Sequence, residues 1–495
     1  MADREQRFIP VRNPRTGAVD FDLPVSPPEE VAAKAARLRE NQKIWAARPL
    51  PERIGIMRRW LGEVAKRAQD IAEADAVDTG GCHTSYIQGF ITMGNIGGWA
   101  EDAEAALQRA IYDGPSKAMP SVEIRSQLVP YPLVGIISPW NAPMMLALLD
   151  AVPALFAGSA VLLKPSEVTP RFIMPLFETV AEVPELAAVF DYVMGDGRTG
   201  QEVIAQADLV CFTGSVPTGR KVAIACAEKL IPCFLELGGK DPAIVTASAD
   251  LDRATTAVLR GAVHATGQVC FSVERIYVDA SIHDDFVALL VKKAEEVRLN
   301  SDNPRAGHIH PFTFAPQAGI VESHIADAVA KGATVHTGGR IEEIGGGLYM
   351  RPTVITGVNH DMIIMRDETF GPILAVMKFK DADEAVALAN DTVFGLTASV
   401  IAGSEAEALP IARRVNAGAV FVQDTFLTFG KNRTIGTHNF GFSGLGGSRT
   451  GPESILRFVR RKALMTQHGE PANILDDHHL GKPAPAPQPQ PQPAE

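Results

Sequence analysis

The sequence predicts an α/β protein built on two parallel sheets, and three observations carry that prediction. From Val134 onward, short apolar runs alternate with helical stretches. A second alternation of the same kind begins near Asp241. The runs are apolar throughout rather than alternately polar, as strands covered by helices on both faces must be. The chain has 495 residues, long enough for about three domains of usual size. With 46% hydrophobic and 21% charged residues it can bury a large core.

Residues 1–25 read as polar and irregular. Ser26-Pro-Pro-Glu-Glu then reads as a helix start, with a capping Ser and early carboxylates, and an Ala-rich helical pattern runs to about Ala47. More helices run from Pro51 to about Asp78. Val122 to Val134 sets Val122, Ile124 and Leu128 against Glu123, Arg125 and Gln127, with Pro130 and Pro132 near its end. It reads as an exposed hairpin or edge strand and as a candidate subunit contact. The first α/β run has strands at Val134–Ile137, Ala160–Leu163, Phe190–Met194 and Leu209–Phe212, with helices at Met144–Phe156, Arg171–Val183 and Ser215–Ala227. The second has helices at about Leu251–Thr266, Asp284–Val297 and Gln317–Lys331, and strands at Arg275–Val278, Leu374–Phe379 and Leu396–Ile401. The Pro/Gln-rich end has little to bury and reads as disordered or polyproline-like.

Composition removes several classes of function. Net charge is −11 without a long like-charge block, which argues against a nucleic-acid surface. The five cysteines, Cys82, Cys211, Cys226, Cys233 and Cys270, include no Cys-x-x-Cys pair and no zinc spacing. Free thiols in a reducing compartment and no metal site are therefore expected. The start lacks a signal-peptide apolar region. The most apolar stretch, Met144 to Leu163, is broken by Asp150, Pro153 and Gly158, so it does not read as a membrane span. A cytoplasmic protein is expected.

Two segments carry candidate chemistry. Gly267-Gln268-Val269-Cys270-Phe271-Ser272 holds one thiol, and Leu235-Glu236-Leu237-Gly238-Gly239-Lys240 holds one carboxylate. A nucleophile and a proton-handling group from separate segments suit covalent catalysis. Two strand-to-helix turns are candidates for phosphate. Gly195-Asp-Gly197-Arg-Thr-Gly200 matches a simple dinucleotide pattern. Phe212-Thr213-Gly214-Ser215-Val216-Pro217-Thr218-Gly219 is better placed: Gly214 lets the backbone approach a phosphate, and Ser215 can cap the helix. Past another strand, Lys164 and Glu167 can straddle a ribose. A carboxylate there accepts both hydroxyls and repels a 2′-phosphate, which favours NAD over NADP.

With these segments in order, the chain resembles the aldehyde dehydrogenase superfamily from about residue 10 to 468. The resemblance rests on Ser138-Pro139-Trp140-Asn141-Ala142-Pro143, Lys164-Pro165-Ser166-Glu167, Phe212-Thr213-Gly214-Ser215, Glu236-Leu237-Gly238-Gly239-Lys240, Gly267-Gln268-Val269-Cys270 and Glu368-Thr369-Phe370-Gly371-Pro372. It implies an aldehyde dehydrogenase-like fold. The cofactor-binding domain would be 1–120 with 137–240, the catalytic domain 241–440, and an oligomerisation flap 121–136 with 455–468, ahead of a tail at 469–495. It implies a homodimer or homotetramer, with Phe458 as an interface anchor because Ile455–Arg461 mixes bulky apolar groups with arginines.

The resemblance also implies the roles. Cys270 would attack the aldehyde as a thiolate of lowered pKa, Asn141 and the Cys270 N–H would hold the oxyanion, and Glu236 would activate the hydrolytic water. Trp140, Lys164, Glu167, Gly214, Ser215, Gly219, Leu237, Glu368 and Phe370 would bind NAD, with Gly214–Gly219 as the pyrophosphate turn and Gly195–Gly200 a neighbouring turn. Met145, Leu146, Leu149, Val269, Phe271, Phe426, Phe429 and Phe440 would line an apolar pocket, which favours an aromatic, terpenoid or long-chain aldehyde over a charged semialdehyde. Members that hand the acyl group to CoA commonly lack a base at the position of Glu236, so its presence favours water. A binding protein without catalysis would have lost the thiol, the base or the oxyanion donor, and all three are here. The chain departs from the family's Phe-Gly-Gly-x-Lys-x-Ser-Gly near the C-terminus, reading Asn439-Phe440-Gly441-Phe442-Ser443-Gly444-Leu445-Gly446, and it has Ser272 where many members have an Ala-type residue.

Overall fold

The computed structural model describes residues 6–431, 433–471 and 474; most of the Pro/Gln-rich end lies outside them. The described residues form two compact units, one within residues 6–108 and 130–460 and one within 109–129 and 461–471.

The larger unit contains a six-stranded and a seven-stranded sheet. The first runs Gly444–Leu445, Cys233–Glu236, Leu209–Thr213, Leu133–Ile137, Ala160–Lys164, Phe190–Tyr192. All its pairings are parallel except that of the two-residue strand Gly444–Leu445. The chain fills one side of Leu133–Ile137 first and then crosses to the other, through Leu209–Thr213 and Cys233–Glu236. That reversal of winding opens a crevice at the carboxyl ends of the strands. The second sheet runs Thr334–Thr337, Thr353–Thr356, Ile373–Phe379, Val273–Asp279, Asp241–Val245, Thr397–Ile401, Ala419–Val422. It is parallel except at its Thr334–Thr337 edge.

The apolar runs form strands because both faces are covered: Ala160–Lys164, Leu209–Thr213, Asp241–Val245 and Thr397–Ile401 are buried at every position. Each large aliphatic or aromatic side chain so buried contributes about 1.5–3 kcal/mol. The most apolar stretch divides into the helix Pro143–Ala157 and the strand Ala160–Lys164. The helix opens with Pro143, whose fixed φ suits its first turn, and stops at Gly158, φ +102°. Among the described residues, no helix is long and apolar enough to cross a membrane.

Three expectations are corrected, and one helix carries no sequence signal at all. Residues 8–24 are a hairpin, Phe8–Arg12 with Val19–Pro24, closed by a turn at Gly17; its buried Val11 and Leu23 are masked by flanking Pro and Asp. The helix Cys82–Gln108 leaves no periodic signal because Gly89, Gly94, Gly97 and Gly98 interrupt its apolar pattern. Val122–Pro130 is a central strand, not an edge: it lies between Asp113–Pro115 and Val459–Gln467. The neighbour Asp113-Gly114-Pro115 carries no strand signal in sequence.

The third correction concerns Phe458, which is a core residue with no exposed surface. It closes the 3-10 turn Ser454–Phe458, whose Arg457 donates to Asp150 at 2.9 Å. Arg449 also pairs with Asp150, at 2.5 Å. Arg457 thus meets a buried carboxylate on the helix Pro143–Ala157, whereas Arg460 and Arg461 are exposed.

Burial alone would raise the Asp150 pKa, but Arg449 and Arg457 outweigh it and hold the carboxylate below its ordinary value. Such a group stabilises the fold above the unfolded pKa, and that stability is lost as pH falls through the depressed folded value. Asp150→Ala leaves two guanidinium groups unpaired in the interior. It should cost about 3–5 kcal/mol in a denaturant melt at neutral pH, and the difference from wild type should shrink in acid. A loss under 1 kcal/mol would show that the arginines find other partners.

Candidate active site

The crevice gathers segments from both sheets. The carboxyl ends of Leu133–Ile137, Ala160–Lys164, Leu209–Thr213 and Cys233–Glu236 deliver Trp140 and Asn141, Lys164 and Glu167, Gly214 and Ser215, and Glu236. The amino ends of Asp241–Val245, Val273–Asp279 and Ile373–Phe379 are preceded by Gly238–Lys240, Cys270 and Glu368–Phe370.

Cys270 follows a strained turn. The helix from Leu251 ends at Val263 rather than near Thr266, because Ala265 and Thr266 take left-handed φ of +51° and +61°, followed by Gly267 at +69°. Thr266 Oγ1 donates to the His310 carbonyl at 2.7 Å, and Gln268 Oε1 accepts from Thr313 N at 3.0 Å. A Cβ at Gly267 would meet the Gly371 carbonyl oxygen at 2.2 Å, so only glycine fits. Asn141 Nδ2 donates to the Gln268 carbonyl at 2.9 Å, which ties Asn141 to the thiol's loop. It does not cap the next helix, whose N-cap residue is Ala142.

The thiol is set among carboxylates. Burial pushes the Cys270 pKa up to about 12, and Glu368, Asp241 and Glu236 push the same way, with Arg449 opposing. Attack needs the opposite shift: Cys270 retains some accessible surface, but its packed, acidic surroundings favour the protonated thiol. Glu368 lies against Gly238, and its Oε1 accepts from Gly239 N at 3.0 Å. Burial, then Glu274, raises it to about 8. Glu236 Oε2 accepts from Asn439 Nδ2 at 2.7 Å, and the same amide reaches the Ser443 carbonyl at 3.2 Å.

Three further residues, Lys240, Glu274 and Asn439, shape the site without having been singled out in the sequence. Lys240 Nζ donates to Glu274 at 2.6 Å and to Thr369 Oγ1 at 2.9 Å, fully buried. Glu274 also accepts the Thr369 and Phe370 amides, both at 2.8 Å. Phe370 needs that grip, since it holds a positive φ of +55°, a conformation costing a bulky residue about 1–2 kcal/mol. Its ring meets Trp140 edge-on at 5.4 Å. Neither Glu274 nor Asn439 has a spacing that marks it. Asn439 sits where the chain departs from the family's C-terminal pattern, and that departure was its one visible signal.

The second group of predicted residues flanks a cavity of ≈ 440 Å³ lined by Lys164, Ile137, Phe212, Thr218, Val222 and the segment around Gly197–Gln201. Lys164 Nζ donates to Glu167 Oε2 at 2.8 Å. Gly219 packs so close to Leu237 that a Cβ would lie 2.5 Å from it. Ser215 holds the N-cap position of Val216–Glu228 but does not cap it with its side chain; its hydroxyl donates to Thr218 Oγ1 at 3.1 Å. Gly214 N donates to the Glu236 carbonyl at 3.1 Å. Gly197 and Gly200 line the same cavity, so the Gly195–Gly200 turn does neighbour this group. The residues present fit a dinucleotide: an unblocked helix N-terminus for its phosphates, a Lys/Glu pair for a ribose, and apolar walls for a base.

On the other flank of Cys270, the Phe271 ring lies 4.6 Å from Phe426 and 6.0 Å from Phe429, and His264 stacks edge-on against Phe426 at 4.8 Å. Burial, with minor help from nearby cations, lowers His264 to about 4, so it is neutral near pH 7. Phe440 instead forms a two-residue strand with Phe394–Gly395. Among the described residues, no group of three His, Cys, Asp or Glu is arranged to hold a metal ion.

Comparison with known proteins agrees with this arrangement. The model of the aldehyde dehydrogenase family matches residues 1–464. A Mycolicibacterium smegmatis protein named "Putative succinate-semialdehyde dehydrogenase [NADP(+)]" is 35% identical over 460 residues, 92% of this chain and 88% of that one. The 4,4'-diapolycopene aldehyde oxidase of Methylomonas sp is 35% identical over 455 residues, covering 90% and 83% of the two chains. The solved structure of a "Putative Aldehyde Dehydrogenase" from Anabaena variabilis superposes with a TM-score of 0.91 at 45% identity, covering 94% of this chain and 99% of that one. In sequence and in fold, this chain belongs to the aldehyde dehydrogenase family.

Proposed function

We propose that the protein oxidises a hydrophobic aldehyde to its carboxylic acid with NAD, through a thioester on Cys270. The observation that supports this most is the meeting of a thiol, a carboxylate held by an amide, and a side-chain amide tied to the thiol's own loop: Cys270, Glu236 with Asn439, and Asn141.

Cys270 must lose its proton to attack, and the surrounding carboxylates oppose that until a cation or a substrate enters. Attack on the carbonyl carbon makes a tetrahedral oxyanion, which the Asn141 amide and the Cys270 N–H stabilise. Each such donor contributes roughly 3–4 kcal/mol in comparable sites. When bound, the nicotinamide supplies a cationic hydride acceptor. Glu236 then takes a proton from the water that attacks the thioester, while Asn439 fixes the orientation of its carboxylate. Glu368, Phe370 and Trp140 bound the nicotinamide end, with Leu237 and Gly219 between it and the Gly214–Ser215 turn. Lys164 and Glu167 hold the adenosine ribose. A carboxylate there disfavours a 2′-phosphate, although several relatives carry NADP(+) in their names.

The aromatic cluster of Phe271, Phe426 and Phe429 beside a neutral His264 supports an apolar substrate. A second reading, a charged semialdehyde, is favoured by Arg260. Its guanidinium lies 5.9 Å from the Phe426 ring, and it borders a cavity of ≈ 710 Å³ shared with His83, His264 and His310. A turnover panel of aliphatic, aromatic and carboxylate-bearing aldehydes, each with NAD and NADP, separates the readings. Apolar aldehydes with NAD should give the highest kcat/KM; a semialdehyde with NADP at the top would reverse both choices.

Glu236→Gln should leave the first turnover and slow the rest, giving a burst of NADH and then a slow steady state, while Cys270→Ser should give no burst. An unchanged steady-state rate in the Gln variant would assign water activation to another group. The same reading includes a homo-oligomer. Val459–Gln467 is an edge strand with Leu464 and Met465 exposed at 44% and 61%, and an unpaired edge of that kind invites another copy. Light scattering at micromolar concentration should give two or four times the chain mass, and a monomer mass would refute it.

A further inference from the structure

We propose that Asp75 is a positioning residue for the active site: through two buried hydrogen-bonded arms it fixes where Asn141 stands beside the Cys270 loop. The inference rests on the role proposed above for Asn141, which is to hold the oxyanion. Asp75 lies near the end of the helix Ala68–Thr79 and has no exposed surface. Its Oδ2 accepts from Ser85 Oγ and, at 3.0 Å, from Gln88 Nε2, both on the helix Cys82–Gln108, while its Oδ1 has no partner. Burial raises its pKa to about 7, with only the Ser85 and Gln88 hydrogen bonds opposing. A buried carboxyl left half unsatisfied weakens a fold, so stability does not explain Asp75. The places its hydrogen bonds lead to do.

The first arm runs through Gln88, whose Oε1 accepts from Met145 N at 3.4 Å. Met145 is in the first turn of the helix Pro143–Ala157, and the N-cap residue of that helix, Ala142, has no side-chain acceptor to offer. Gln88 therefore supplies from a neighbouring helix the cap that the local sequence lacks. A side-chain amide has one acceptor end and one donor end. Gln88 keeps its oxygen towards Met145 because Asp75 holds its nitrogen. Asn141 stands directly before the N-cap residue, so this arm sets its main chain.

The second arm runs through the end of the helix that carries Asp75. Thr79 Oγ1 donates to the Asp75 carbonyl at 2.9 Å and lies 3.2 Å from Ser85 Oγ, the hydroxyl held by Asp75 Oδ2. The Thr79 carbonyl accepts from Thr313 Oγ1 at 2.9 Å, and Thr313 N donates to Gln268 Oε1 at 3.0 Å. The Gln268 carbonyl in turn accepts from Asn141 Nδ2 at 2.9 Å. Thr79, Ser85, Gln88, Gln268 and Thr313 are all more than nine-tenths buried. In a close-packed interior such groups do not shift singly. One arm thus holds the main chain at Asn141, the other holds its side chain, and both start at one carboxyl.

The test is a mutant cycle on the full chain, read as the rate of the NADH burst. Asp75→Ala removes the acceptor, and the burst should slow roughly tenfold to a hundredfold, the loss that a misplacement of about 1 Å brings. Asp75→Asn keeps an acceptor for Ser85 and Gln88, with its NH2 where Oδ1 has no partner, and should stay within about threefold of wild type. Adding Asp75→Ala to Asn141→Ala should slow the burst no further than Asn141→Ala alone, because the group being positioned is gone. Multiplied losses in the double variant would overturn the proposal, and so would an Asp75→Ala burst within about twofold of wild type. Where Asp75→Ala fails to fold, Thr313→Val and Gln88→Met each cut one arm and take its place in the cycle. Hydrogen exchange of the segment holding Met145 needs no turnover, and its amide should exchange on the order of tenfold faster in Asp75→Ala. A wild type without an NADH burst would refute the proposed function alone; exchange then decides for Asp75, and unchanged protection at Met145 would overturn its positioning role.

Discussion

The arrangement depends first on a backbone constraint, the left-handed turn Ala265-Thr266-Gly267 that stops a helix and lifts Cys270 into the crevice. Two non-glycine residues in that conformation cost about 1–2 kcal/mol each, so the turn persists because its surroundings over-determine it. Thr266 is bonded to the His310 carbonyl, Gln268 to Thr313, and Gly267 lies against the Gly371 carbonyl. The last contact also fixes the start of the strand that follows Phe370. One turn thus sets the depth of the thiol and the place of the segment proposed to hold the nicotinamide.

Around that turn, charge is managed by pairing. Lys240 and Glu274 are both buried and joined at 2.6 Å, and Glu274 gives its remaining capacity to two backbone amides. Asp150 is matched by two arginines, one of which, Arg449, also hydrogen-bonds Thr213. Glu368 and Asp241 are different. Burial raises both, and neither meets a cation as directly. Their negative charge near Cys270 is held in check by low polarity rather than by ion pairs, so the arrival of a cationic group changes the protonation of the whole cluster.

Much of this was legible in sequence. The parallel sheets were readable because strands covered on both faces are uniformly apolar, and the ordered motifs were readable because glycines and prolines fix turns wherever they fall. What stayed hidden has two physical causes. Long-range partners leave no local trace: Asn439 reaches Glu236 across 203 positions, and Glu274 meets Lys240 from the next strand. Local rules also lose to tertiary context. Ser215 sits where a capping residue belongs but bonds Thr218 instead. Phe458 and Arg457 carry the composition of an interface, but Phe458 is core and Arg457 serves a buried carboxylate. The proposed attack requires a lowered thiol pKa, whereas burial and three carboxylates push it up, a balance no local sequence feature reveals.

The two halves of the crevice are also mechanically one. Gly214 N is bonded to the Glu236 carbonyl, Leu237 N to the Ser443 carbonyl, and the Asn439 amide to both Glu236 and Ser443. The turn proposed for the pyrophosphate, the proposed base and the C-terminal segment that replaces the family's usual pattern therefore share one ladder. Gly219 packed on Leu237 closes it from the helix side. The helix N-terminus and the Glu236 backbone are linked by a hydrogen bond of 3.1 Å, with no flexible side chain between. The proposed pyrophosphate turn and the proposed base are thus joined by a main-chain contact inside a packed region, where little space is left for either to shift alone.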